Sequence, residues 1–225
     1  MGVLPLVFSA GWASGVNAYG VVLALGLFGR LGLVHGAPPQ LEHPGVLAAA
    51  AVMFAVEFVA DKIPYVDSLW DAAHTVVRPL AGAWVGGLLG HDAATLNTAV
   101  GALVGGGTAL ASHGVKASLR LAVNTSPEPL SNILVSLAED GAAIGVVVLA
   151  LAHPWISAAV CALLLACGAA AVVAAARLVR RGLRALRARR GRAGGGGRRP
   201  SRGAGVSAAG DTGSTGGTGG GAGTR

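Results

Sequence analysis

Long apolar runs separated by short polar turns dominate the first 180 residues of the chain. A run of about 20 apolar residues is long enough to cross a bilayer as an α-helix, so the pattern predicts an all-α integral membrane protein. We expect about six transmembrane helices, or five if the third does not cross fully. The predicted helices cover residues 14–33, 45–62, 67–90, 94–121, 130–152 and 156–179, and a short irregular or half-helical segment precedes the first.

Charged residues interrupt this pattern between residues 57 and 78. They recur at i, i+4, i+7 and i+11 on the third predicted helix and at i, i+4 on the second, so each helix carries one polar face. Clustered carboxylates raise one another's pKa, so they can bind a cation or pass a proton. The candidate ion- or proton-site residues are Glu57, Asp61, Asp67, Asp71 and His74, with Glu139 and Asp140 on the fifth helix.

Basic and neutral polar residues on neighbouring helices are candidate partners for these acids. A purely structural salt-bridge network is the alternative interpretation of the whole set. The candidate charge partners or phosphate contacts are Lys62, Arg78, His113, Lys116 and Arg120, and the supporting polar residues are Asn17, Asn132 and Ser136.

The composition supports a membrane protein, because 53% of residues are hydrophobic and 12% are charged, against about 25% charged in a typical soluble domain. The net charge of +7 belongs to the C-terminal region. Residues 1–176 contain five Lys/Arg and nine Asp/Glu, whereas residues 177–225 contain twelve Arg and one Asp. The high overall charge therefore does not predict nucleic-acid binding.

Three regions follow from this division: a transmembrane helical domain (1–180), a basic amphipathic juxtamembrane segment (181–192) and a disordered Gly/Ser/Thr/Arg tail (193–225). The segment from Arg177 to Arg192 carries eight arginines, which we expect to contact anionic lipid headgroups. Because basic residues favour the cytoplasmic side, six spans place the tail and both termini in the cytoplasm. The polar residues then form a bowl that opens toward the cytoplasm.

Four blocks of this sequence resemble a bacterial membrane family known as domain of unknown function 4126. They are G-W-A-S-G-V-N-A-Y-G, V-E-F-V-A-D-K-I-P-Y-V-D-S-L-W-D-A-A-H-T-V-V-R-P-L-A-G-A, V-N-T-S-P-E-P-L-S-N and S-L-A-E-D-G, within residues 9–150. The resemblance implies a multi-spanning protein of the bacterial inner membrane. It carries over no catalytic residue and no cofactor.

The leading functional hypothesis is a small transporter or channel-like protein with a cytoplasm-facing acidic site for a cation or a proton. A lipid-phosphate-binding protein or metal-dependent lipid-phosphate enzyme is one alternative, with Lys116 and Arg120 on the phosphate and Asp67, Asp71 and His74 on the metal. A membrane scaffold with a structural polar network is the other. We assign no catalytic residue, so an enzyme is the less favoured class, and the abundant Gly-x-x-x-Gly spacings predict a homo-oligomer.

Overall fold

The computed structural model describes residues 2–34, 37–63, 65–91, 93, 96–123 and 129–194. These residues form helices joined by turns, and none of them lies in a strand. The helices are α1 (Val3–Val16), α2 (Ala18–Arg30), α3 (Pro44–Ala60), α4 (Val66–His91), α5 (Thr98–Val123), α6 (Pro129–Ala152) and α7 (Pro154–Gly194).

The first predicted helix, over residues 14–33, is shorter in the structure. It is the helix α2, and the segment before it, predicted to be irregular or half-helical, forms the helix α1. They meet at Asn17, whose backbone is extended with φ −148° and ψ 95°. The Asn17 side chain accepts a hydrogen bond from the backbone N–H of Gly20, so it caps the start of α2. At 14 and 13 residues, each helix is about 20 Å long, which is shorter than the hydrocarbon core of a bilayer.

These two helices form a hairpin that enters and leaves the bundle from the same end. Leu6 in α1 and Phe28 in α2 line one cavity. In a continuous helix they would lie about 33 Å apart. Gly20 lies beside Phe54 in α3 and Gly26 beside Leu47, so α2 runs antiparallel to α3. We call α1 and α2 with Asn17 the re-entrant hairpin.

The bundle has two chemically different ends. At the acidic end, defined by Asp61, Asp67, Arg120 and Asn132, α3 and α5 end and α4 and α6 begin. At the apolar end, defined by Gly2, Leu25, Leu151 and Trp155, the re-entrant hairpin begins and returns, α6 ends and α7 starts.

The start of α1 and the first arginine of the basic segment lie differently from the predicted topology. A Cβ atom on Gly2 would lie 2.9 Å from the Trp155 indole nitrogen at the start of α7. Arg177 follows Trp155 by six turns of the same helix, about 33 Å. The amino end of the bundle and the first arginines of the basic segment therefore lie at opposite ends. This difference arises because α1 and α2 form a hairpin, where the sequence predicted one membrane-spanning helix.

Helices α1, α4 and α5 pack through glycine. A Cβ on Gly11 would collide with the backbone of Gly105, and a Cβ on Gly15 would collide with the backbone of Ala109. Gly82 likewise faces the Gly105 carbonyl on the α4 side of α5. Small residues allow such close backbone approach between helices, so the re-entrant hairpin is wedged tightly against α5.

Two helices are long and apolar enough to cross a membrane by length and composition, over Asn132–Ala152 and Pro154–Arg184. The helices α1, α2 and α3 are apolar but shorter. Both α4 and α5 have 26 residues, and each carries charged side chains on its buried face.

The chain divides into two units, residues 1–181 and residues 182–225. The first unit contains α1 to α6 and most of α7. In the second unit α7 continues to Gly194, and the predicted tail over residues 195–225 lies outside the described part of the chain.

Candidate functional site

A network of charged side chains fills the interior of the first unit near its acidic end. Arg78, Arg120, Glu57 and Asp67 have no exposed surface. Such groups are almost never fully buried unless they are paired, so their contacts decide what the network can do. All the candidate residues named from the sequence contribute to this network: Asn17, Glu57, Asp61, Lys62, Asp67, Asp71, His74, Arg78, His113, Lys116, Arg120, Asn132, Ser136, Glu139 and Asp140.

Arg78 of α4 holds two carboxylates. Its Nη2 donates to Glu57 Oε1 at 2.5 Å, and its Nη1 donates to Asp71 Oδ1 at 2.7 Å. The same Nη1 lies 2.8 Å from His113 Nδ1, which must accept because a guanidinium has no acceptor. His113 Nε2 then carries the proton and faces the Thr75 hydroxyl at 3.2 Å. One positive charge therefore serves two acids and a neutral imidazole.

Lys116 of α5 ties the re-entrant hairpin to α3. Its Nζ donates to Asp61 Oδ2 at 2.8 Å and to the Val16 carbonyl at 2.9 Å, and it lies 3.5 Å from Glu139 Oε2. Val16 is the last residue of α1, where the helix dipole favours a positive charge. Lys116 thus stabilises the broken end of α1 while it neutralises acids from two other helices.

Arg120 is the most heavily bonded side chain of the network. Its Nε donates to Glu139, its Nη2 pairs with the same carboxylate, and its Nη1 donates to the Asp61 carbonyl at 2.7 Å. Nη1 also lies 3.3 Å from Asp67 Oδ2 and 3.3 Å from Asn132 Oδ1. Arg120 therefore links the end of α3, the start of α4 and the first turns of α6.

Asp140 of α6 has a neutral partner instead of a base. Asn17 Nδ2 donates to its Oδ1 at 2.8 Å, and no ion pair joins Asp140 to a basic residue of the described chain. The other oxygen, Oδ2, is buried and has no hydrogen-bond partner among the described residues. Asp140 differs in this respect from the acids held by Arg78, Lys116 and Arg120.

Lys62 lies at the edge of the network, in the turn after α3. Its Nζ donates to the Phe58 carbonyl at 2.9 Å, lies 3.4 Å from Ser136 Oγ, and sits 3.0 Å from the centre of the Phe58 ring. These contacts cap the end of α3. Its direct contacts are thus a carbonyl, a hydroxyl and a ring, and its charge acts on the Asp140 and Asp61 carboxylates at longer range.

Two aromatic residues that the sequence pattern does not single out, Trp70 and Tyr19, fix the position of the His74 ring. The His74 ring stacks on Trp70 with 4.4 Å between ring centroids, and its Nδ1 donates to the Trp70 carbonyl. Its Nε2 lies 3.0 Å from the Tyr19 hydroxyl on the re-entrant hairpin. The i, i+4 spacing of Trp70 and His74 was visible in the sequence, but the approach of Tyr19 depends on the hairpin.

The described network carries more negative than positive charge. Its six acids are Glu57, Asp61, Asp67, Asp71, Glu139 and Asp140, and its four bases are Lys62, Arg78, Lys116 and Arg120. With neutral histidines, two carboxylates remain without a compensating base. One oxygen each of Glu57, Asp61, Asp71 and Asp140 is buried without a hydrogen-bond partner among the described residues. An uncompensated buried charge costs several kcal/mol, so the network favours uptake of positive charge.

The same contacts bear on the two alternatives predicted from the sequence, phosphate binding and metal binding. Lys116 and Arg120 are buried and bound to carboxylates, so neither offers a free face to a phosphate. The described residues contain no group of three His, Cys, Asp or Glu side chains placed to hold a metal ion. Two cavities lie away from the network, and the larger, about 420 Å³, is lined by apolar side chains at the apolar end.

Comparison with known proteins gives one match. The model of a family described as a domain of unknown function (DUF4126) matches residues 4–175. No curated protein and no solved structure matches the chain. The matched region contains the whole buried network and ends just before Arg177.

Proposed function

Because the chain belongs to the DUF4126 family, whose description assigns no activity, we propose from its buried network that it is a small membrane transporter or channel-like protein for a cation or a proton. The observation that carries the proposal is the excess of two acids over bases in the described network. A proton or a cation that neutralises this excess removes a penalty of several kcal/mol per buried charge. Binding positive charge is therefore part of how the protein remains folded.

The placement in a membrane is part of this proposal. Exposed apolar side chains cover the outer faces of α3 and α7, including Val52, Val56, Val59 and Leu163. In lipid these faces need no protein partner, whereas in water they would form large unstable patches. We place the chain in the cytoplasmic membrane of a bacterium, with the acidic end toward the cytoplasm, since Arg177, the first arginine of the basic segment, lies on that side of the bundle.

The exposed arginines of this segment, which include Arg177, Arg180 and Arg181, are proposed to contact anionic headgroups. Association of several copies through the apolar faces stays a prediction.

The test is ion flux in proteoliposomes that contain the purified protein. We expect wild-type protein to carry H⁺ or a monovalent cation down a gradient, and Asp71→Asn to reduce that flux. Glu57→Gln is the second variant, and each is made singly because the loss of both acids would leave Arg78 buried without a carboxylate to balance its charge. Glu42→Gln, near the apolar end, is the matched control and should keep full flux. Absence of flux for H⁺, Na⁺ and K⁺ in wild-type protein would refute the proposal.

A structural scaffold is the second candidate function. It is favoured by Arg78, Lys116 and Arg120, each of which pairs with at least one acid. The flux assay distinguishes the two functions. A scaffold uses these ion pairs only to hold its helices together, so it carries no cation in wild-type protein. A transporter carries a cation flux that Asp71→Asn reduces while the protein stays folded.

A further inference from the structure

We propose that the tip of the re-entrant hairpin and the Asp140 carboxylate form a binding site for an alkali cation, with Na⁺ as the ion to be tested. This inference rests on the proposed function and assigns the ion and its place. The proposed site lies around Asn17, where α1 ends and α2 begins inside the bundle.

The first observation is the surroundings of Asp140. Its side chain is 6% exposed, its Oδ1 is fixed by the Asn17 amide at 2.8 Å, and its Oδ2 has no hydrogen-bond partner among the described residues. The Asn17 oxygen is itself occupied by the Gly20 N–H, so the amide cannot rotate without losing two hydrogen bonds. A buried carboxylate in this fixed orientation favours a positive ion at its remaining oxygen.

A second, independent observation lies in the last turn of α1. The Ser14 hydroxyl is fully buried and has no hydrogen-bond partner among the described residues. It lies three residues before Asn17, where the carbonyl ends of α1 give a negative dipole. In membrane transporters with broken helices, unwound backbone carbonyls and the carbonyl ends of half-helices coordinate Na⁺. Here a buried hydroxyl and a buried carboxylate lie close to such an end along the chain or by hydrogen bond.

The charge at this place favours a monovalent ion. Asp140 makes no direct ion pair with a base of the described chain and feels the Lys62 charge only at longer range, whereas Lys116 at the neighbouring Val16 carbonyl is bound to Asp61 and Glu139. A single positive charge at Asp140 Oδ2 therefore suits this carboxylate better than a divalent ion, which would leave an excess of positive charge. The donors available at the tip are hard oxygens, which suit Na⁺.

The packing of the hairpin determines the side from which the ion enters. Gly11 and Gly15 bring α1 into close contact with the α5 backbone between the hairpin tip and the apolar end. Val7, Val21 and Leu25 of the hairpin are buried in the same part of the bundle. The described residues of α1 offer a migrating ion only serine hydroxyls and no charged side chain. We therefore expect Na⁺ to reach Asp140 from the acidic end.

The experiment is thermal unfolding of the full-length detergent-solubilised protein at constant ionic strength, with Na⁺ replaced by choline or K⁺. Ligand linkage predicts that saturating Na⁺ raises the wild-type Tm by about 3–5 °C. The Asp140→Asn variant should lose this rise, since Asn keeps the shape and the Asn17 contact but not the charge. Glu42→Gln, which neutralises a carboxylate outside the network, should keep the Na⁺ response.

A pair of serine variants keeps the test informative if Asp140→Asn does not fold. Ser14→Ala should raise the Na⁺ concentration that gives half of the Tm increase by about tenfold, because the loss of one ligand contact of about 1.4 kcal/mol weakens binding tenfold. Ser9→Ala, at another buried serine of α1 whose hydroxyl interacts with the Cys161 thiol, should leave it unchanged. A Na⁺ response that survives in both Asp140→Asn and Ser14→Ala overturns the inference, and so does a wild-type Tm that responds to pH but not to Na⁺.

The outcomes separate this inference from the proposed function. Flux that is insensitive to Asp140→Asn leaves the function standing and overturns this site. A Na⁺-dependent Tm that disappears in Asp140→Asn, without any measurable flux, supports the site and refutes transport.

Discussion

The excess of acids in the buried network predicts an asymmetry between two neighbouring residues, Arg78 and Asp71. Neutralising a base increases an existing excess of negative charge, whereas neutralising an acid reduces it. Arg78→Gln removes the positive charge that Glu57 and Asp71 share, at 2.5 and 2.7 Å. Asp71→Asn removes one of the two acids and leaves Arg78 paired with Glu57.

The magnitude follows from the burial of these groups. Removing one member of a buried ion pair costs about 3–5 kcal/mol, because the partner charge is left uncompensated. For a chain of this size, 1 kcal/mol lowers the Tm by about 2–4 °C, so Arg78→Gln should lower it by about 6–20 °C. Asp71→Asn should change the Tm by less than about 4 °C, and the double variant should lie between the two.

The assay is thermal unfolding in detergent, followed by tryptophan fluorescence. Glu42→Gln is the control for loss of a carboxylate outside the network. Equal destabilisation by Arg78→Gln and Asp71→Asn would refute the reasoning, because it would mean that the network is already balanced.

Two further predictions concern the re-entrant hairpin. Gly15→Val should lower the free energy of unfolding by about 1–3 kcal/mol or more, since its Cβ would collide with the Ala109 backbone, whereas Gly107→Ala, with nothing within 4 Å, should be neutral in the same unfolding assay. In a chain whose Cys161 and Cys167 are replaced by serine, cysteines at Gly2 and His153 should react with an impermeant thiol reagent from the same side of the membrane. Labelling from opposite sides would contradict the hairpin.

The sequence predicts the polar faces of the helices, because helical spacing alone places the charged side chains on one side of each helix. Asp67, Asp71, His74 and Arg78 follow one face of α4, and all four are buried. The family resemblance was also correct, since the DUF4126 model matches residues 4–175. The pattern of apolar runs correctly predicted a helical protein, and two of its helices are long and apolar enough to span a membrane by length and composition.

The re-entrant hairpin could not be read from the local pattern. Asn17 is a single polar residue between two apolar segments, and the same pattern fits one continuous span. The break is stabilised by tertiary contacts: Lys116 binds the Val16 carbonyl, and Asp140 receives the Asn17 amide. Both partners lie about 100 or more residues further along the chain, so no local rule identifies them.

The hairpin also changes the interpretation of the network. The sequence alone predicted an open polar bowl, whereas the structure shows most acids bound to Arg78, Lys116 or Arg120. What distinguishes the network from a closed salt-bridge cluster is the unequal number of acids and bases and the position of Asp140 at the hairpin tip. The proposals of cation transport and of a Na⁺ site both depend on these two features.

The most direct test of this account is the charge displacement that follows a rapid Na⁺ concentration jump on proteoliposomes adsorbed to a sensor membrane. Such a current reports the entry of a cation into a buried site even when no complete transport cycle occurs. We predict a transient positive displacement in wild-type protein, its loss in Asp140→Asn, and its retention in Glu42→Gln. No displacement in wild-type protein, or an unchanged one in Asp140→Asn, would contradict the claim that a mobile cation compensates the buried acids.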